Sequence, residues 1–221
     1  MCENFVLSCC STVDLTPELL EQRDIRYAHF HYLLDHKEYD DDMGKTISMD
    51  DFYKAMVGGA DAHTAQINVE EYCRYFTPFL EAGQDVLHLT LSSGISGSYN
   101  SARIAAGILK EQCPQRRVLV VDSLGASSGS GLLMITLANL RDAGKSLDEL
   151  YDWAEAHRRE MHHWFYSSDL TFYVKGGRVT KAAGWFGTVL KICPVLNMDV
   201  DGRLIPRFKV RGKQNAMREI V

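Results

Sequence analysis

The stretch Asp85–Ala106, DVLHLTLSSGISGSYNSARIAA, limits what this chain can fold into more than any other. Val86 to Leu91 is an apolar run of strand length. Ser92 to Ser98 is a turn of small and hydroxyl residues. Tyr99 to Lys110 then carries Ala102, Ile104, Ala105, Ile108 and Leu109 at helical spacing. A strand that feeds a helix through such a turn leaves backbone N–H groups without partners at the helix start. Those amides, the helix dipole and the neighbouring hydroxyls favour an anionic oxygen, from a carboxylate or a phosphate. Serine is also a common helix cap. On this stretch alone the plainer reading, serines that cap and glycines that turn, is at least as good.

The unit recurs. Arg117 to Val121 is a strand ending in Asp122-Ser123, and Ser127, Ser128, Gly129, Ser130 and Gly131 precede a helix over Leu132–Ala143. Upstream, Phe5 to Cys9 reads as a strand. Thr16 caps a short helix with Pro17 at its first position, and Ile25–Leu34 reads as one further strand. Asp35–Lys45 reads as a charged loop, and its Asp40-Asp41-Asp42 run lacks the spacing of a calcium loop. Ser48 with Asp51, Asn68 with Glu71 and Ser146 with Glu149 mark helix starts, and His63–Ile67 reads as a polar loop. Strand and helix in alternation predict an α/β domain over residues 1–161, a mostly parallel sheet covered by helices. Ligands of such sheets sit beyond the C-terminal strand ends, where both serine turns fall. That shared position favours the anion reading over the capping one.

From His162 the texture changes. His163–Ser168 and Thr171–Val174 read as strands. Lys175–Val179 reads as a tight turn into a helix through Ala182, Ala183, Trp185 and Phe186. Leu190–Met198 reads as a strand that Pro194 places at an edge or a bulge. Asp201-Gly202 then reads as a hairpin turn into Arg203–Val210, with a helix from Gly212. Residues 162–221 are thus expected to open a second, α+β domain, and its small core predicts that the C-terminal part is missing.

Composition excludes several classes. With 46% apolar residues the chain is globular, and its net charge of −5 opposes bulk attraction to nucleic acid or anionic lipid. No apolar run is long enough to span a bilayer, and Glu3 and Asn4 give no basic region of the kind that opens a signal peptide. Cys2, Cys9, Cys10, Cys73, Cys113 and Cys193 fit neither a zinc site nor a CxxC pair; they read as buried, reduced thiols of a cytoplasmic protein. The eight histidines form no metal-binding pattern, Gly94-Ile95-Ser96-Gly97-Ser98 is not a nucleophile elbow, and no Walker loop occurs. Neither a metal nor a cofactor is expected.

Four motifs in order resemble the DegV family. Ser96-Gly97-Ser98-Tyr99-Asn100-Ser101-Ala102 is similar to its SGTYxSA signature, and Asp122-Ser123 with Ser127 to its DS…S loop. Lys175-Gly176-Gly177-Arg178-Val179 is similar to its KGGRI turn, and Lys209-Val210-Arg211-Gly212 to its KVRG segment. The resemblance implies a two-domain protein that binds one long-chain fatty acid. In bacterial fatty acid kinase systems such a protein presents the carboxyl group to a separate ATP-binding subunit and has no catalytic groups of its own. It further implies carboxylate contacts from Thr64, which opens the family's TSQPS-like loop, and from Ser96. Ser93, Gly97, Ser123 and Ser127 complete the expected ligand site. The sequence departs from the family at Cys10, where an Asp is usual, at Ala65 and Ile67 in the TSQPS-like loop, and at Ser98 for Thr. A later segment that supplies a His near the carboxyl group is not in this sequence. Arg178, Arg203, Arg207 and Arg211 stand in a basic cluster and are expected to dock the kinase subunit. No nucleic acid partner and no stable membrane insertion are expected. The competing class is an enzyme acting alone on a small carboxylate or phosphate ester at the same turns, for which His63 offers only a weak base.

Overall fold

The computed structural model describes residues 4–168, 170–179 and 192–220. Four parallel strands form the main sheet: β1 (Phe5–Cys10), β2 (Ile25–Ala28), β6 (Asp85–Thr90) and β7 (Val118–Asp122), in the order β2-β1-β6-β7. The strands β1, β6 and β7 are largely apolar because both faces are covered. On one face Val6, Cys10, Val86 and Val120 pack with α3 (Val69–Glu81) and α4 (Ser98–Gln112). On the other, Leu7, Cys9, Leu87, Leu89 and Val121 pack with α5 (Ser127–Asp142) and α6 (Leu147–His157). The two sets alternate along each strand, as side chains of an extended backbone must. Capping boxes at Asn68/Glu71 and Ser146/Glu149 start α3 and α6, and Thr16 caps α1 (Pro17–Gln22), as the sequence predicts. From β1 the chain steps to β2 on one side, then returns to β6 and β7 on the other. The strand order reverses between β1 and β6, which makes their C-terminal ends the switch point where such sheets bind ligands.

The segment between β2 and α3 departs from expectation. Ile25–Leu34 is two strands, not one. After β2 the chain turns at His29-Phe30, where the Phe30 ring is buried among the α3 and α4 residues and its N–H donates to Ser11 Oγ at 3.1 Å. β3 (His31–Leu34) then joins β4 (Lys37–Asp40) and β5 (Ala62–Ala65) in a small antiparallel sheet, ordered β4-β3-β5. The charged "loop" thus holds a strand, because Asp35 and His36 adopt positive φ (49° and 67°) and close a two-residue hairpin. Thr64 lies on β5, opposite Tyr32, and not in a loop. The helix α2 (Met49–Val57) covers this sheet through Phe52, edge-on to Tyr32.

The C-terminal unit is α+β as predicted. β8 (Phe165–Tyr166), β9 (Ile192–Met198) and β10 (Leu204–Arg211) form an antiparallel sheet, ordered β10-β9-β8. α8 (Lys213–Ile220) packs Ala216 against Cys193 and Val195. Thr171–Val174 is not a strand: it belongs to α7 (Thr171–Lys175), which stops at Gly176 and Gly177, the latter at φ 73°. Tertiary burial of Leu170 and Val179 beside Leu196 overrides the strand propensity of its aromatic and branched residues. Pro194 sits on the central strand and not at an edge. Its carbonyl accepts from Ser167 N–H at 3.1 Å, so its nitrogen points to the same side, past the last β8 pair at Tyr166–Val195, where no ladder donor is needed. The irregularity lies instead in β10, between Pro206 and Phe208. The helix expected through Ala182–Phe186 falls outside the described residues.

The two units are joined tip to turn. Ser92 Oγ donates to the Gly202 carbonyl at 2.7 Å, so the β9–β10 hairpin rests on the serine turn after β6. A side chain at Gly94 would overlap the carbonyl oxygens of Asp201 and Gly202, which is why glycine stands there.

Candidate functional site

The turn between β6 and α4 is wound on its own hydroxyls. Ile95 and Ser96 N–H both donate to the Ser92 carbonyl, at 3.2 and 3.1 Å, and Gly94 N–H donates to Ser92 Oγ at 3.1 Å. Asp122, at the end of β7, braces it: one carboxylate oxygen accepts from Ser93 N–H and Leu124 N–H, each at 3.1 Å. Ser98 N–H donates to Ser96 Oγ at 3.2 Å. Ser96 thus braces the helix start from just outside it, and its own hydroxyl donates to Ser98 Oγ at 3.1 Å. By helical geometry the amides of Gly97, Tyr99 and Asn100 have no carbonyl in the helix to meet. The helix start thus carries positive potential beside a half-buried hydroxyl.

Ser93, Ser96 and Gly97 line one hollow of about 590 Å³, together with Gly177, Arg178, Arg203 and Leu204. Arg178 lies against the turn, its Nε donating to the Ile95 carbonyl at 3.3 Å. A second hollow of about 640 Å³ runs between the start of α5 and the C-terminal sheet. Its apolar lining includes Leu132, Trp164, Phe165, Tyr173 and Met198, and it shares Leu204 with the first. The two hollows therefore share one lining residue, in the cleft between the two units.

Thr64 lines a third hollow of about 260 Å³, with Thr12 and Asp14 from the end of β1. The link to the serine turn is Gln66, whose side-chain amide occupies the space a Cβ at Gly97 would fill. Ser123 and Ser127 have partners of their own. The buried Ser123 Oγ donates to the Gly125 carbonyl at 3.0 Å and accepts from Gly125 N–H, and Ser127 donates to the Asp14 carboxylate. Of the arginines, Arg178 and Arg203 line the serine hollow. Arg207 and Arg211 are exposed on β10, an edge strand, where charge also discourages strand addition.

Gln66, Asp122 as a brace and Leu204 as the junction were not legible in the sequence, since each acts through a contact distant in the chain. His163 was likewise passed over. Its ring fills the space beside Gly125 and Gly129 at the start of α5, and burial lowers its pKa from the ordinary value. Among the described residues no cluster of His, Cys, Asp and Glu could hold a metal ion, and no helix is long and apolar enough to cross a membrane. Cys9, Cys10 and Cys193 are buried free thiols; burial raises Cys10 to about 11.

The family described as uncharacterised protein, DegV family, matches residues 10–221. A DegV domain-containing protein of Streptococcus pyogenes serotype M3 is 35% identical over 217 residues, 98% of this chain and 76% of the relative. The chain belongs to the DegV family. Among solved structures, a Thermus thermophilus DegV family protein described by its fatty acid binding is 30% identical, with a TM-score of 0.86 over 98% of this chain and 75% of that one. A Thermotoga maritima protein whose structure reveals fatty acid binding function is 29% identical, with a TM-score of 0.84 over 99% and 75% of the two chains. The Streptococcus pneumoniae Fatty Acid Kinase B3 protein loaded with linoleic acid shares the fold, with a TM-score of 0.84 over 98% and 76% of the chains at 24% identity.

Proposed function

We propose that this DegV protein binds one long-chain fatty acid, and that it presents the carboxyl group to a separate, ATP-binding kinase subunit in the cytoplasm. The observation that carries the reading is the junction at Leu204. A hydroxyl-rich helix start with two arginines lines one hollow and Leu204 also lines a second, richer in aromatic side chains; both volumes lie in the range of ligand pockets, about 300–1,000 Å³. In this reading the carboxylate rests at the turn, accepting from Ser96 Oγ and the amides near Gly97, with Ser93 beside it. Thr64, the other expected carboxylate contact, stands on β5 and lines a separate hollow. The tail lies against Trp164, Phe165, Tyr173 and Met198. Ser123 holds the α5 start through its bonds to Gly125, and Ser127 lines the tail hollow. Arg207 and Arg211, outside the hollow, face the kinase subunit. Both units line each hollow: Arg178 and Arg203 join the serine turn, and Leu132 joins Trp164 and Tyr173.

Native mass spectrometry of the purified protein tests this directly. A co-purifying long-chain acid is expected, and Ser96→Ala should weaken oleate binding by roughly 1.5–3 kcal/mol, the size of one hydrogen bond to a charged group. A protein that purifies free of lipid and does not take up oleate refutes it.

A further inference from the structure

The irregularity in β10 is a β-bulge, and its extra residue is Arg207. Pairing with β9 passes from Pro206–Leu196 to Phe208–Val195, so Arg207 has no partner across the ladder. Regular alternation would send Arg207 and Phe208 to opposite faces. Here Phe208 stacks on Trp164, ring centroids 6.1 Å apart and planes 10° apart, and Arg207 lines a hollow together with that same Trp164. Asn197 on β9 holds the arginine in place: its Oδ1 accepts from Arg207 Nε at 2.7 Å. The remaining N–H donors of the guanidinium fork are then set in one direction.

Two more arginines enter this hollow, which has a volume of about 220 Å³. Arg158, largely buried, donates from Nη1 to the Asp122 carbonyl at 2.9 Å and to Glu155 Oε1 at 3.0 Å. The first of these bonds ties the hollow to the C-terminal end of β7, the end at which parallel sheets bind ligands. Arg159, next in the chain, is exposed. Asp199 is the carboxylate in the lining. Its Oδ1 is turned to the β9–β10 hairpin, where it accepts from the N–H groups of Asp201 and Arg203 at 3.0 and 2.8 Å. In a chain of net charge −5, three guanidiniums around one small hollow concentrate positive potential. Charge that only guarded an edge strand would need neither the bulge nor the Asn197 clamp. Guanidinium forks match phosphate oxygens two at a time, and three of them exceed what a single carboxylate can satisfy. The hollow is smaller than pockets that enclose drug-sized ligands, which suits a small anion and not an acyl chain. It adjoins the tail hollow, sharing His163 and Trp164, and includes no residue of the serine turn.

We propose that this hollow is a second ligand site, in which Arg158, Arg159 and Arg207 hold a diphosphate group, free or borne by a nucleotide. Such a site is independent of where oleate binds. Isothermal titration calorimetry of the full chain at 0.15 M salt, about the physiological level, with sodium pyrophosphate, ATP and adenosine tests it. Pyrophosphate should bind and should compete with ATP. ATP that binds more tightly than pyrophosphate supports the site with the nucleoside resting on Trp164; equal affinities support it with the phosphates alone being read. Pyrophosphate that does not bind overturns the proposal, whatever ATP or adenosine does. Arg207→Ala should weaken pyrophosphate binding roughly tenfold or more, the effect of one hydrogen bond between charged groups. Arg211→Ala, on the same strand but outside the hollow, should change it little, because exposed charges at a distance are screened by salt. Equal losses in the two variants would mean diffuse attraction to a charged strand and would overturn the site.

Discussion

Acid should destabilise this protein through the buried His88. Its ring is fully buried, and desolvation of the charged form lowers its folded pKa from 6.5 to about 3. Between those values the unfolded chain takes up a proton that the native protein refuses. Stability is then lost as pH falls, at a slope of about 1.4 kcal/mol per pH unit for one proton. From pH 6.5 to pH 4 the loss from this residue alone reaches about 3 kcal/mol, a large share of the roughly 5–15 kcal/mol that holds a domain folded. His88→Gln keeps an amide near the Nε2 position and removes the titration. Urea unfolding of delipidated wild type and His88→Gln from pH 4 to pH 7 measures the effect. The variant should start less stable at pH 7 and lose stability more slowly with acid, the two slopes differing by nearly one proton. Carboxylates and the other histidines contribute to both proteins and cancel in the difference. Parallel curves would refute the argument, for they would mean that the native protein protonates His88 without penalty.

Gly94→Ala should loosen the contact between the units, since its methyl meets the Asp201 and Gly202 backbone; thermal denaturation should show a loss of about 1–3 kcal/mol. Leu204→Asn places a neutral polar group where the two hollows share a wall, and titration with oleate should show weaker binding. An Arg207→Ala, Arg211→Ala double variant should bind oleate as wild type does and be phosphorylated more slowly in the presence of an ATP-binding kinase subunit; equal rates would argue against docking through β10. Asp122→Asn should leave the fold intact but weaken the brace on Ser93 and Leu124 N–H, costing about 1–2 kcal/mol in urea unfolding.

Local patterning was readable where a single element carried it. The alternation of strand and helix, the Asn68 and Ser146 capping boxes and the turn after β6 each depend on residues within a few positions of one another. Readings failed where a distant contact decided the outcome. Phe30 is drawn into the α3–α4 cluster and ends β2 early; two aspartate-side residues at positive φ make a hairpin of a charged run; Leu170 and Val179 fold Thr171–Lys175 into a helix against propensity.

The sequence by itself determined the parallel sheet and the amide-rich helix start at its edge, because hydrophobic period and turn chemistry are properties of short stretches. Only the tertiary structure decided that this start shares Leu204 with a second hollow between the units and is braced by Asp122 from the neighbouring strand. Those relations join residues brought together by packing across the sheet and between the two units, and no local pattern encodes such a distance.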